Sequence, residues 1–177
     1  MYEVTEDDPW FALFVKTNNE DTIKKNLEKS FEGKYKFYSP KRVIKERHKK
    51  NWVSVLKPLF SGYILFQGKF ENDDYYKMKS IPDVYYLLKS EKGPLPLFKE
   101  EVQVLSRLLQ NCEDDYIGIS DLYMEGDAIY VMNGPLQAME GIIISVNKRK
   151  GRAKVKLSVG GNEKLIDLSV NLLNLKP

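Results

Sequence analysis

Cysteine and histidine are almost absent from this chain, which contains Cys112, His48 and no other residue of either type. One cysteine cannot form an intramolecular disulfide, and one residue of each kind cannot make a cluster of metal ligands. The chain also lacks an apolar run long enough to span a bilayer. Its first residues are acidic and do not show the basic and then apolar pattern of a secretory signal. We therefore expect a cytoplasmic protein that binds no membrane and no metal.

Residues suited to catalysis are equally scarce. His48 lies in the sequence Arg47-His48-Lys49-Lys50, where no acidic partner in a catalytic arrangement is evident. Cys112 stands beside Glu113 and lacks the positive surroundings that activate a thiol. No glycine-rich loop has the spacing that binds phosphate groups. These absences predict that the chain is not an enzyme and uses no organic cofactor.

Basic residues are abundant and unevenly distributed. The 177 residues are long enough for one ordinary domain or two small ones, and their net charge is +3. Nine basic residues fall between Lys34 and Lys57, where Glu46 is the only acid. Such a segment is either a solvated surface loop or a surface that faces nucleic acid.

The first 110 residues alternate between strand and helix patterns. Trp10 to Val15 is an apolar run typical of a buried strand, and Ile23, Leu27 and Phe31 share one face of a following helix that Asn18 or Asn19 can cap. Further helices are predicted at about 72–81 and 99–110, and further strands at 35–37, 43–44, 63–66 and 84–88. This order implies a layered α/β domain over residues 1–110.

The remaining residues have a different pattern. Residues 111–123 are acidic and read as an exposed linker. Beyond them the helical period disappears, and strands are predicted at 127–132, 141–146, 153–159 and 163–168. The predicted fold class is therefore α+β, with an N-terminal α/β sandwich on an antiparallel sheet and a small β-barrel at 124–177.

One stretch, Gly126 to Gly141, is more specific than a generic antiparallel barrel. Its spacing alone predicts only a strand, a tight turn and a second strand. Its residue order is Gly126-Asp127, then Gly134-Pro135-Leu136, then Glu140-Gly141 and an isoleucine. That order closely resembles the KOW motif, a short module of transcription elongation factors and ribosomal proteins.

Four earlier segments extend this resemblance to the NusG family of transcription elongation factors. They are Trp10-Phe11, Leu59-Phe60-Ser61-Gly62-Tyr63-Ile64, Lys79-Ser80-Ile81-Pro82-Asp83-Val84 and Pro94-Leu95-Pro96-Leu97. The resemblance implies an NGN-like first domain that grips the clamp helices of the largest RNA polymerase subunit and suppresses pausing. It also implies the fold described above, with a KOW barrel at the C-terminus.

The resemblance assigns candidate polymerase-binding residues to the first domain. Phe14, Tyr63 and Leu65 would line the apolar pocket for the clamp helices, although aromatic residues on a central strand are often simply core. Tyr75 and Tyr76, beside Asp74, would approach the polymerase lobe opposite the clamp.

The segment Lys79–Val84 departs from the family pattern. Ile81 stands where a small polar residue often helps to read the displaced non-template DNA strand, and Asp83 replaces a glycine. Lys79 could still meet a phosphate of that strand.

The second domain carries a dense basic ribbon. Strand alternation places Arg152, Lys154 and Lys156 on one face, with Ala153 and its alternating apolar neighbours turned inward. The nucleic-acid-binding candidates of the ribbon are Lys148, Arg149, Lys150, Arg152, Lys154 and Lys156. A solvated hairpin is the alternative, but so many cations favour salt-dependent binding of structured RNA.

This ribbon suggests a specialised paralog of the LoaP type, which recognises a hairpin in a leader RNA. The sequence thus predicts a monomeric antitermination factor that binds RNA polymerase with its first domain and nascent RNA with its second. The alternatives are a general NusG factor, whose KOW domain binds the termination factor Rho or a ribosomal protein, and a ribosome-associated KOW protein.

Overall fold

The computed structural model describes residues 3–110, 112 and 115–174. The helices are α1 (Glu20–Phe31), α2 (Asn72–Lys79) and α3 (Lys99–Leu109), with a short 3-10 helix at Glu140–Ile142. The first eight strands are β1 (Trp10–Val15), β2 (Lys36–Tyr38), β3 (Lys41–His48), β4 (Asn51–Pro58), β5 (Tyr63–Gln67), β6 (Val84–Leu87), β7 (Lys89–Ser90) and β8 (Gly93–Pro94). The others are β9 (Tyr116–Ile117), β10 (Ser120–Glu125), β11 (Ala128–Asn133), β12 (Ile143–Asn147), β13 (Arg152–Val159) and β14 (Asn162–Leu172). The predicted α+β class is confirmed.

The chain divides into two compact units. Unit 1 comprises Met1–Ser39, Phe60–Val102 and Val159–Gly161, and unit 2 comprises Pro40–Leu59, Gln103–Ser158 and Asn162–Pro177. The domain boundaries at residues 110 and 123 stay a prediction. The ends of the predicted domains and part of the predicted linker, at residues 1–2, 111, 113–114 and 175–177, lie outside the described residues.

Unit 1 is built on a four-stranded antiparallel sheet with the order β2-β5-β1-β6. Because successive strand residues point to opposite faces, Phe11, Leu13 and Val15 of β1 enter one core. Residues of α1 and α2 pack on that same core, among them Leu27 and Met78, both fully buried. The predicted apolar face of α1 is confirmed.

Asp83 occupies a backbone conformation of the kind that usually favours glycine. Asp83 has φ +67°, in the left-handed region that aspartate tolerates better than most side chains. The side-chain amide of Asn19 donates to its carboxylate at 2.8 Å. Asn19 occupies the N-cap position of α1 without capping the helix through its side chain. One hydrogen bond therefore joins the start of α1 to the turn before β6.

The basic segment of residues 41–58 is a regular two-stranded hairpin, of which the sequence predicts only residues 43–44 as a strand. β3 and β4 pair antiparallel over their whole length, from Lys41 opposite Pro58 to His48 opposite Asn51. The turn is at Lys49 and Lys50, and Lys49 has φ +55°. Only Ile44 is buried among the residues of these two strands, so the hairpin forms with few buried positions.

The predicted linker also contains strands. β9 pairs parallel with β3, and β10 joins β11 and β14. Ile117 and Leu122 are buried, so the segment supplies core residues despite its acidic composition. The acidic residues dominated the composition of the segment and obscured these two apolar positions.

Unit 2 contains a five-stranded sheet with the order β11-β10-β14-β13-β12. The predicted alternation along β13 is confirmed, since Ala153, Val155 and Leu157 are buried while Lys154 and Lys156 are exposed.

Close packing explains the glycine of the Gly134-Pro135-Leu136 turn. Gly134 has φ +96°, and a Cβ atom there would lie 2.6 Å from the Cα atom of Ser120. The Ser120 hydroxyl in turn accepts a hydrogen bond from the Leu136 amide at 3.0 Å. The glycine is therefore required by packing within unit 2.

Candidate protein-docking and nucleic-acid interfaces

An aromatic cluster lies on the face of the unit 1 sheet opposite the core. In the strand register, Phe14 of β1 stands directly across from Tyr63 of β5 and from Tyr86 of β6. The ring centroids of Phe14 and Tyr63 are 4.5 Å apart, and those of Phe14 and Tyr86 are 4.3 Å apart. Phe14 and Tyr63 are half-buried and Tyr86 is 50% exposed. This aromatic cluster is thus preassembled and partly open to solvent.

Leu65 lies on the same face of the sheet but is not exposed to solvent. It stands opposite Ala12, and both side chains are fully buried. The structure therefore brings Phe14 and Tyr63 together and separates Leu65 from them by burial. Tyr86 was not among the sequence candidates, because only the strand register shows that it stacks on Phe14.

The candidates on α2 differ from one another. Tyr76 is largely exposed, whereas Tyr75 is partly buried and packs against the core. Their rings lie 5.3 Å apart. Lys79 is exposed, with its ammonium 5.7 Å from the Tyr75 ring centroid, and Ile81 is a core residue.

Asp74 is held in a buried polar cluster beneath α2. It accepts a short hydrogen bond from the Tyr35 hydroxyl and lies 2.8 Å from the Lys34 ammonium. Burial by itself would raise the pKa of Asp74, but the hydrogen bonds from Lys34 and Tyr35 outweigh it and lower that pKa. Burial and the bond to Asp74 raise the pKa of Tyr35. The cluster ties α2 to the chain after α1, which is a structural task.

In unit 2, the turn between β12 and β13 displays three exposed cations. Lys148, Arg149 and Lys150 are all exposed, and none has a salt-bridge partner among the residues that the structure describes. The Asn147 side chain accepts a hydrogen bond from the Lys150 amide at 2.9 Å, which orders the turn. Gly151, with φ +60°, completes it.

Arg152 has a different environment from the other members of the ribbon. Its side chain is only 21% exposed, and its guanidinium donates to the backbone oxygen of Lys45 at 3.0 Å. A second guanidinium nitrogen lies 3.9 Å from the Asp167 carboxylate. The Lys45 amide donates to the Ser169 hydroxyl at 3.1 Å. Arg152 therefore braces β3 against the sheet of unit 2.

The last two ribbon residues are exposed on β13. Lys154 is free of salt bridges among the described residues, whereas Lys156 lies 2.9 Å from Glu163. An exposed ion pair of this kind contributes little to the free energy of unfolding, and a phosphate can readily replace its carboxylate. The ribbon thus has four fully available cations, namely Lys148, Arg149, Lys150 and Lys154.

The β3–β4 hairpin and the β12–β13 turn line one open cleft of about 430 Å³. Its lining residues are Lys45, Trp52, Val53, Ser54, Lys148, Arg149, Lys150, Gly151 and Val170. The cations of this cleft are evident from the sequence, whereas Trp52 is not, because nothing in the sequence indicates that residues about 100 positions apart meet. Among the described residues there is no cluster of His, Cys, Asp or Glu that could hold a metal ion.

Comparison with known proteins identifies the family. A family model described as "Transcription termination factor nusG" matches residues 8–106, more than half of the chain. The chain belongs to the NusG family. That assignment confirms the resemblance drawn from the four N-terminal segments, and it confirms that the chain is not an enzyme, since NusG proteins are non-enzymatic transcription factors.

Individual relatives agree with the family model. The chain is 30% identical over 119 residues to the transcription termination/antitermination protein NusG of Rickettsia felis, a match that spans 67% of this chain and 62% of the relative. It is 28% identical to the NusG protein of Synechocystis, covering 90% of this chain and 85% of the relative. A solved structure titled "Domain interaction in Thermotoga maritima NusG" is similar in fold, with a TM-score of 0.56 and 18% identity over 92% of this chain and 94% of that one.

The NusG assignment is coarser than the predicted subfamily. It establishes a transcription termination/antitermination factor, and it leaves the LoaP-type specialisation and the individual contact residues as predictions.

Among the described residues, no helix is long and apolar enough to cross a membrane.

Proposed function

We propose that this NusG protein is a processive antitermination and elongation factor that docks on RNA polymerase through unit 1 and binds nascent structured RNA through the basic surface of unit 2. The observation that carries the proposal is the turn Lys148–Lys150, three adjacent exposed cations without salt-bridge partners among the described residues. Solubility in water does not require three cations on one ordered turn. Such a group of cations does favour binding of a phosphate backbone, because each neutralised phosphate releases counterions.

The aromatic cluster supports the docking half of the proposal. Hot spots of protein interfaces are enriched in tyrosine and lie in well-packed pockets of the interface. The Phe14 ring packs against those of both Tyr63 and Tyr86 on the sheet, so little side-chain entropy is lost on binding. We assign the clamp helices of the largest polymerase subunit to this cluster. Tyr76, the most exposed of the candidates on α2, is assigned to the lobe opposite the clamp.

In this proposal, unit 1 contacts the phosphates of non-template DNA but does not read its bases. Ile81 is buried in the core of unit 1, so its side chain is not available to read a base. Lys79 is exposed and can contact a phosphate, which contributes affinity without sequence information. Any DNA contact at this position is therefore independent of sequence.

The two halves act together by proximity. Binding of a leader hairpin by unit 2 raises the local concentration of unit 1 at the polymerase that is transcribing that RNA. Unit 1 then holds the clamp closed, so elongation continues through terminators. In this proposal the protein is a cytoplasmic monomer and a specialised paralog of the LoaP type.

A second candidate function is that of a general NusG factor whose C-terminal strands bind Rho or a ribosomal protein. Exposed apolar residues of unit 2 favour it, among them Ile144 on β12 and Leu165 on β14. Such residues are typical of a protein-binding surface rather than of a phosphate-binding one.

RNA binding by the full-length protein distinguishes these functions. We expect a fluorescently labelled leader hairpin to bind tightly and with a steep salt dependence, and Arg149→Ala to reduce the slope of log K against log[salt] by about one. The matched control is Lys29→Ala, which removes an exposed cation from α1 of unit 1. Equal, weak binding of the hairpin and of a scrambled RNA would assign unit 2 to protein partners.

Polymerase binding tests the docking half separately. We expect Tyr86→Ala to weaken binding to purified RNA polymerase about tenfold or more, because it removes an exposed member of the aromatic cluster. The matched control is Tyr85→Ala, since Tyr85 is 53% exposed on the same strand and has no ring contact with the cluster. If the two variants bind equally well, the cluster is not the docking surface.

A further inference from the structure

The cleft of unit 2 combines an aromatic surface with cations. Trp52 on β4 contributes the aromatic face, while Lys148, Arg149 and Lys150 line the cleft from the β12–β13 turn. The volume of about 430 Å³ lies within the range of roughly 300–1,000 Å³ typical of small-ligand sites. The cleft therefore has the size for one nucleotide, and it remains open to solvent for the rest of a polymer.

Trp52 has no structural task that would explain its position. It is 54% exposed, whereas Trp10, the other tryptophan of the chain, is 5% exposed and stacks on Tyr38. Trp52 makes no ring-stacking or cation–π contact with any described residue. Its half-exposed indole therefore presents a ring face on which a ligand can stack.

The hairpin is held firmly enough to form one wall of a site. Arg152 donates to the backbone oxygen of Lys45, and the Lys45 ammonium lies 3.2 Å from the Asn171 side-chain oxygen. Arg42 donates to the backbone oxygens of Pro58 and Asp167. Since these bonds join β3 to β4, β13 and β14, the strand carrying Trp52 is fixed relative to the cationic turn, and both belong to unit 2.

The local charge is suited to phosphate. Glu46, the acidic residue nearest to Trp52 in the sequence, is bonded to the Lys57 ammonium, so its charge is already compensated. The three cations of the turn have no salt-bridge partner among the described residues. An aromatic face beside uncompensated cations is the arrangement with which proteins bind an unpaired nucleotide, since the base stacks and its phosphates lie against the cations.

We infer that the Trp52 cleft binds an unpaired nucleotide of the RNA, which stacks on the indole while Lys148, Arg149 and Lys150 contact the flanking phosphates. The inference rests on the proposed RNA-binding function and adds to it a second recognition element. The cations of the ribbon by themselves bind only phosphates, which every RNA has. Trp52 would select RNA with a base that is free to leave its stack, in a loop or a bulge.

The test uses the full-length protein and three RNA probes that share one stem. The first probe is a hairpin with an adenine-rich loop, the second has abasic nucleotides in that loop, and the third is the blunt duplex. We expect Trp52→Ala to weaken binding of the first probe about tenfold and to leave binding of the other two unchanged, since base–aromatic stacking is lost only where a base is present. Trp52→Phe should retain most of the affinity.

Leu56→Ala is the matched control. Leu56 is also half-exposed on β4, and it does not line the cleft. It should bind all three probes as the wild type does. If Trp52→Ala binds the adenine-loop hairpin as tightly as Leu56→Ala does, the inference is overturned.

Tryptophan fluorescence gives an independent readout. The variant Trp52→Phe retains only Trp10, so the difference between wild type and variant reports Trp52 alone. We expect the adenine-loop hairpin to quench the Trp52 signal and the abasic hairpin to leave it nearly unchanged. Equal quenching by both probes would show that Trp52 responds to charge or to a change of conformation, and would overturn the stacking assignment.

Failure of this inference can be told apart from failure of the proposed function. If Arg149→Ala loses affinity for the hairpin while Trp52→Ala does not, RNA binding stands and the stacking site is refuted. If neither variant changes the affinity, both are refuted, and an acidic protein segment becomes the better candidate for the cleft. A DNA hairpin of the same sequence assigns the source of the nucleotide, because binding as tight as that of RNA would overturn the RNA assignment.

Discussion

Arg152 provides the sharpest separation between an RNA-binding residue and a structural one. Its position in the basic ribbon predicts a phosphate contact, but the folded chain places its guanidinium against the Lys45 backbone oxygen and near the Asp167 carboxylate. We therefore expect Arg152→Ala to lower the free energy of unfolding. Its effect on RNA binding should follow from that loss of order.

The magnitude can be worked from the contacts. A hydrogen bond from a charged donor contributes about 1.5–3 kcal/mol. The ion pair with Asp167 is long at 3.9 Å and partly exposed, so it adds at most about 1 kcal/mol. The Nε atom of Arg152 is buried without a hydrogen-bond partner among the described residues, which offsets part of the gain. We expect a net loss of about 2 kcal/mol, or roughly 4–8 °C in the unfolding midpoint for a chain of this length.

The assay is thermal and urea unfolding followed by circular dichroism, beside RNA titrations of the same samples. Lys154→Ala is the matched control, because Lys154 is two residues away on β13 and exposed. It should unfold like the wild type and reduce the salt slope of RNA binding. The reasoning is refuted if Arg152→Ala is as stable as Lys154→Ala and reduces the salt slope by the same amount.

Two further predictions concern stability. Gly134→Ala should destabilise the protein by about 3 kcal/mol in urea unfolding, because a Cβ atom at this positive φ would collide with the Ser120 backbone. Gly126→Ala is the control, since Gly126 also has a positive φ but has open space around it, and it should destabilise the protein by about 1 kcal/mol. Equal losses of stability in the two variants would contradict the packing argument. Asp74 has a lowered pKa when folded, so its stabilising contribution is present above the ordinary pKa of 3.8 and is lost as the pH falls through the folded value. Unfolding measured from neutral to acidic pH should therefore show a larger advantage of the wild type over Asp74→Asn at neutral pH, and a constant difference would refute the linkage.

Local patterns in the sequence were sufficient for most elements of unit 1. The predicted strand at Trp10–Val15 and the apolar face of α1 are both present, because each depends on a short period that burial enforces directly. β10 was not predicted as a strand, and only residues 43–44 of the β3–β4 hairpin were. In the hairpin only Ile44 is buried, and β10 gains hydrogen bonds from β14, a partner that local spacing does not reveal.

The sequence by itself determined the family, the α+β class and the location of the cationic turn, because motif order, periodicity and charge are all properties of neighbouring residues. Only the tertiary structure decided which candidates share a surface. Phe14 meets Tyr86 through strand register, Leu65 is removed by burial, and Trp52 reaches the cationic turn across a long sequence separation. Those outcomes depend on hydrogen-bonded pairing between distant strands, since a register shift of one residue would turn each of these side chains to the opposite face.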